Sequence, residues 1–81
     1  MNIRFSKQAQ KALEHMDRAT KQRIRSGILA LPNGDIKPMR GYPGTYRLRI
    51  GDWRILYSYP EENVVLIEKI SPRGDVYKGG F

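Results

Sequence analysis

Three arginines recur within the fifteen residues TYRLRIGDWRILYSY, Thr45 to Tyr59, at Arg47, Arg49 and Arg54. A guanidinium is a rigid planar fork of donors that matches phosphate or carboxylate oxygens two at a time. It stays protonated to pH ~12, so it is a poor proton shuttle. The chemistry on offer is therefore to bind an anion and to stabilise negative charge as it develops.

The spacing says which element must hold these residues. Gly51 and Asp52 suit the two-residue loop of a tight β-hairpin, since both tolerate positive φ. Ile50 then opposes Trp53, Arg49 opposes Arg54, Leu48 opposes Ile55 and Arg47 opposes Leu56. Period two turns Leu48, Ile50, Trp53, Ile55 and Tyr57 to one face and Arg47, Arg49, Arg54 and Leu56 to the other. Like charges directly across a strand pair are destabilising unless an anion lies between them. The pattern has two readings at this level, an anion site or a set of solubilising charges paired with nearby acids.

The flanking sequence supplies the remaining elements. Asn2–Phe5 reads as a short strand. Ser6 is a helix N-cap for a segment reaching about Met16, with Ala9, Leu13 and Met16 on one stripe. Asp17 caps a second helix from about Arg18 to Leu31, with Ile24, Ile28 and Leu31 inward and Lys21 and Arg25 outward, and Pro32 stops it. Residues 35–44 read as irregular because Pro38, Gly41, Pro43 and Gly44 punctuate them. Strands follow at Thr45–Ile50, Trp53–Tyr59 and Val64–Ile70; the last is apolar at almost every position, as a strand buried on both faces is. Strict alternation puts Glu68 with Val64, Leu66 and Ile70, as a structural carboxylate or as an orienting partner for an arginine. The order β-α-α-β-β-β predicts an α+β fold, with a helical hairpin packed on one face of a mainly antiparallel sheet.

Composition narrows the function classes. The 81 residues fit one domain, 1–81, with a net charge of +7 from 15 Lys and Arg against 8 Asp and Glu. Such a surface favours a polyanionic partner, nucleic acid or an acidic protein. There is no cysteine and one histidine, His15, which reads as a surface residue, so neither a thiolate metal site nor a disulfide framework is expected. No cofactor is implied. No signal-like segment or membrane span is visible, and a soluble cytoplasmic domain is expected. Beyond the last strand, ISPRGDVYKGGF carries Arg73 and Tyr77. A tail folded back beside the sheet adds Arg73 to the cations and offers Tyr77 as a stacking plane for a base, as single-stranded RNA is held. Tyr77 reads equally as a packing residue anchoring the C-terminus.

Met39 to Lys78, MRGYPGTYRLRIGDWRILYSYPEENVVLIEKISPRGDVYK, resembles the RelE branch of the RelE/ParE toxins of toxin–antitoxin systems. The run R-G-x-P-x-x-Y-R-L-R-I-G-D-W-R-I-L-Y followed by R-x-x-V-Y carries the resemblance, and the element order and length extend it to nearly the whole chain. It implies a toxin that enters the 70S ribosome and cuts mRNA in the A site by attack of a ribose 2′-OH on the adjacent phosphate. Arg47 and Arg49 match a pair of basic residues, lysines in the best-known member. Arg54 matches a motif arginine, Arg73 an arginine for leaving-group stabilisation, and Tyr77 the tyrosine that stacks on the mRNA base. The implied partners are mRNA, rRNA and an acidic RelB-like antitoxin, through which the complex binds operator DNA; no membrane is involved. Two other functions share the fold: a ParE-like inhibitor that poisons DNA gyrase by binding alone, and an RNA-binding or attenuated toxin without cleavage.

Overall fold

The computed structural model describes residues 2–72. Its elements are β1 (Asn2–Phe5), α1 (Lys7–Glu14), α2 (Arg18–Leu29), β2 (Asp35–Pro38), β3 (Thr45–Ile50), β4 (Trp53–Glu61) and β5 (Val64–Pro72). Both helices start at the expected caps. The Ser6 hydroxyl accepts from the Ala9 amide and the Asp17 carboxylate accepts from the Thr20 amide, each satisfying an N–H that has no partner inside its helix.

The five strands form one sheet in the order β1-β5-β4-β3-β2, antiparallel except for β1, which runs parallel to β5. Both helices cover the same face: α1 rests on β5 and β1, and α2 on β3. Between them and the sheet lies the core of Ala9, Ile24, Ile28, Leu31, Leu48, Ile55, Tyr57, Val65, Ile67 and Ile70. Gly27 lets α2 lie close, because a Cβ there would stand 2.3 Å from Ile50 Cδ1. The expected stripes are all turned inward, with Leu13 and Met16 half-buried against this core.

Three features depart from the sequence reading. Residues 35–38 are a strand: β2 pairs with β3 at the sheet edge, where Pro38 is tolerated because an edge strand needs no N–H on its outer side. The β3–β4 turn uses positive φ only at Gly51 (φ 57°), the glycine-first pattern of a II′ turn. The third departure is in β5. Leu56 pairs with Lys69 but Tyr57 pairs with Ile67, so two residues of β5 oppose one step of β4, and Glu68 is the extra residue of a β-bulge. Alternation therefore changes phase at Glu68. Val65, Ile67 and Ile70 face the core, whereas strict alternation separates Ile70 from the other two.

The bulge is held from the N-terminal segment. β1 stops opposite Ile67, and Ser6 takes over. Its amide donates to Ile67 O, and its hydroxyl donates to Glu68 O at 2.8 Å. Two residues on, the Gln8 side-chain amide accepts from Ile70 N at 3.1 Å and donates to Ile70 O at 3.2 Å, doing for Ile70 what another strand residue would do. The start of α1 thus completes the β5 ladder.

Candidate functional site

The sheet face opposite the helices carries two rows of side chains that run across four strands. One row is Asp35, Arg49, Arg54 and Ser71; the next is Lys37, Arg47, Leu56 and Lys69. Paired residues share a face, so these rows bring together five cations and one carboxylate, a local excess of four positive charges. The structure joins Arg47, Arg49 and Arg54 in the register expected for the hairpin. Arg73 and Tyr77 lie outside the described residues.

Lys37 and Lys69 were not legible in the sequence. Lys37 is on the face because β2 exists, and the only signal for that strand was Ile36 between two polar residues. Lys69 is there because of the bulge; unbroken alternation sends it to the side of Val65 and Ile67, into the core.

Burial differs across the rows. Arg54 is 6 % exposed and Ser71 3 %, while Leu56 is fully enclosed. Arg47 and Lys69 are half-buried, and Arg49 and Lys37 are exposed. The directly opposed Arg49 and Arg54 are thus at different depths. Arg54 sits in the face, whereas Arg49 leans toward the turn, where its Nε donates to Gly51 O at 3.5 Å. A guanidinium in a low-dielectric surrounding acts on a nearby anion far more strongly than one in water. Arg54 is therefore the electrostatic centre of the row and Arg49 its solvent-facing flank. Such a face can hold phosphates and stabilise charge; its arginines cannot take up a proton.

A second surface lies on the other side, between β1, α1 and α2. Two adjoining depressions meet at Phe5 and Arg25 there: one is lined further by Ile3, Ile28 and Leu29, the other by Gln10, Leu13, Glu14 and Lys21. Leu29 is 72 % exposed, and Arg18, Lys21 and Arg25 line the adjoining flank of α2. No helix of the described residues is long and apolar enough to cross a membrane.

Residues 3–77 match the family model described as the ParE toxin of type II toxin–antitoxin systems, parDE. Among solved structures, the chain is similar to the RelB–RelE antitoxin–toxin complex from Methanococcus jannaschii, with a TM-score of 0.76, 26 % identity, and coverage of 94 % of this chain and 96 % of that one. It is also similar to the archaeal RelE–RelB complex from Pyrococcus horikoshii OT3, at 0.70 and 28 %, over 90 % of this chain and 94 % of that one. The fold is shared with the RelBE2 complex from Mycobacterium tuberculosis, at 0.70 and 23 % identity, over 89 % of this chain and 96 % of that one. No curated protein matches the sequence.

Proposed function

The chain belongs to the RelE/ParE superfamily of toxins of type II toxin–antitoxin systems, and from that premise we propose that it is a ribosome-dependent endoribonuclease that cuts mRNA in the A site. The observation that carries this reading is the pair of cationic rows on the sheet face opposite the helices, with Arg54 buried among them.

In the proposed reaction a ribose 2′-OH attacks the adjacent phosphorus. The bond from phosphorus to the 5′-oxygen of the next nucleotide breaks, leaving a 2′,3′-cyclic phosphate and a 5′-hydroxyl. Negative charge builds on the non-bridging oxygens as the phosphorus becomes five-coordinate. Arg54 faces that charge with Arg47 and Arg49 on its flanks, a preorganised stabilisation of a kind worth ~3–4 kcal/mol per donor where it has been measured. Arg73 stabilises the leaving oxygen and Tyr77 stacks on the mRNA base; both enter from the sequence resemblance. The 2′-OH proton passes to a base other than these arginines, and the departing 5′-oxygen takes up a proton from water to become the 5′-hydroxyl. Alignment of the 2′-OH with the scissile bond comes from the ribosome, which converts binding into orientation.

The partner in the resting state is an acidic antitoxin segment. The two adjoining depressions, where Ile3, Phe5, Leu13 and Leu29 stand with Lys21 and Arg25, suit an amphipathic acidic strand or helix, and the basic face suits its carboxylates. The protein acts in the cytoplasm, where ribosomes and mRNA are. The ParE description of the matching family model favours a second reading, inhibition of DNA gyrase by binding.

The test maps mRNA 5′ ends in a translation extract with wild-type protein, with Arg54→Ala, and with ribosomes left out, the fold of the variant being checked by its melting curve. New ends that require both ribosomes and Arg54 support the endonuclease. Untouched mRNA overturns it, and a supercoiling assay with purified gyrase then tests the second reading.

A further inference from the structure

Arg23 is one of four cationic residues spaced along α2, and its sequence position reads as a solvated helix face. The structure leaves it exposed and brings its guanidinium to one end of the sheet. A Cβ built on Gly51 would lie 2.6 Å from one terminal guanidinium nitrogen of Arg23 and 3.3 Å from the other, so the guanidinium lies close beside the β3–β4 turn. Arg49 reaches the same residue from the other side of the sheet, Nε to Gly51 O. These distances and the intervening backbone bonds bound the separation of the two guanidinium groups at about 10 Å.

The screening length at physiological salt is about 8 Å, so these two exposed guanidinium groups interact weakly with each other while both present positive charge to an anion lying over the turn. Arg54 opposes Arg49 in the same row, so three arginines lie at this end of the sheet against two acids, Asp52 in the turn and Asp35 across from Arg49, a local excess of one positive charge. Gly51 is what allows the convergence. With no side chain and a φ of 57°, it leaves the turn thin enough for Arg23 to cross the edge of the helical layer.

We propose that the anion-binding surface does not end at the sheet face opposite the helices but wraps over the Gly51–Asp52 turn to Arg23, which binds a backbone phosphate of the RNA strand that runs across Arg54 and Arg49. Arg23 touches the strand away from the scissile bond. It contributes affinity and register, and the charge on the reacting phosphate remains with Arg54. The role needs positive charge at that point and little else. This inference rests on the RNA-cleaving reading above.

A single phosphate contact with a single-stranded nucleic acid adds about 0.7 to the slope of log affinity against log salt, which is a factor of about four in affinity near 0.15 M salt. The experiment measures co-sedimentation of the protein with mRNA-programmed 70S ribosomes at several salt concentrations, and maps cut sites with the same preparations. Wild type, Arg23→Ala, Arg23→Lys, Arg23→Glu and Arg54→Ala are compared. Alanine is at least as good a helix former as arginine, so the fold is not at risk.

The proposal expects Arg23→Ala to bind about four-fold more weakly with a shallower slope, Arg23→Glu to bind more weakly still, and Arg23→Lys to restore most of the affinity. Each should still cut, at saturating protein, at the wild-type positions. If Arg23→Ala keeps the wild-type slope while Arg54→Ala stops cleavage, the extended track is wrong and the endonuclease stands. If wild type neither binds nor cuts, both fall. If Arg23→Ala loses affinity only for an acidic peptide and not for the ribosome–mRNA complex, Arg23 serves a protein partner and the RNA assignment is overturned.

Discussion

Ser6 is a small residue with two jobs, and replacing it separates them. Its hydroxyl accepts from Ala9 N at 3.1 Å as the cap of α1 and donates to Glu68 O at 2.8 Å across the bulge of β5. Ser6→Ala removes both bonds. A lost cap costs ~1 kcal/mol, and stranding a half-buried carbonyl costs about 1 kcal/mol more, at the low end of the range because water can reach it. A total near 2 kcal/mol corresponds in a domain of this size to a fall of roughly 8–16 °C in melting temperature. Ser6→Asp keeps a cap of equal quality but cannot donate, and places a carboxylate against the Glu68 carbonyl. Ser6→Thr keeps both bonds. The assay is thermal unfolding followed by circular dichroism at pH 7. The expected order of melting temperature is wild type, Ser6→Thr, then Ser6→Asp, with Ser6→Ala at or below Ser6→Asp. If Ser6→Asp melts with Ser6→Thr, the bond to Glu68 contributes nothing and the account of the bulge is wrong. The bulge also sets the face on which Lys69 stands, so in a ribosome-binding assay near the midpoint concentration Ser6→Asp should bind more weakly than its loss of folded protein explains.

Gln8→Leu keeps the bulk of the side chain but removes both amide bonds to Ile70; a loss of about 1–2 kcal/mol is expected from two ladder bonds, read by urea denaturation with an unchanged slope. Tyr57 has its pKa raised well above the usual tyrosine value of 10.0, first by burial and then by the neighbouring Tyr59. The folded chain therefore holds this proton when the unfolded chain has released it, so stability should fall as pH rises above about 10, and Tyr57→Phe should flatten that decline in melts taken from pH 9 to 11. Asp17 shows the opposite sign. Its carboxyl is held below 3.8, chiefly by the Thr20 hydroxyl and then the Thr20 amide, so its contribution is present above that value and lost as pH falls below it. Asp17→Asn should lower the melting temperature at pH 7, by an amount that shrinks as pH falls below 3.8, the asparagine still capping the helix.

Much of this protein is readable from residues alone because its information is local. Ser6 and Asp17 announce helix starts, Ala9, Leu13, Ile24 and Ile28 repeat with the period of a helix, and Gly51 joins two strands with period two. Turn length fixes register in a tight hairpin, so the opposition of Arg49 to Arg54 and the burial of Leu48, Ile55 and Tyr57 follow from the sequence. The α+β class followed from the order of those elements.

What tertiary structure decided depends on contacts between distant segments. β2 forms because residues 35–38 find an edge of β3 to pair with; alone, four residues ending in proline have no reason to extend. The bulge at Glu68 exists because Ser6 and Gln8, some sixty residues earlier, accept and donate to the β5 backbone, and it turns Lys69 from the core side to the basic face. Arg23 reaches Gly51 because α2 crosses β3 at Gly27. Local rules set where side chains point along one strand or helix; which faces meet, and where alternation changes phase, is set by hydrogen bonds and packing that a linear pattern does not contain.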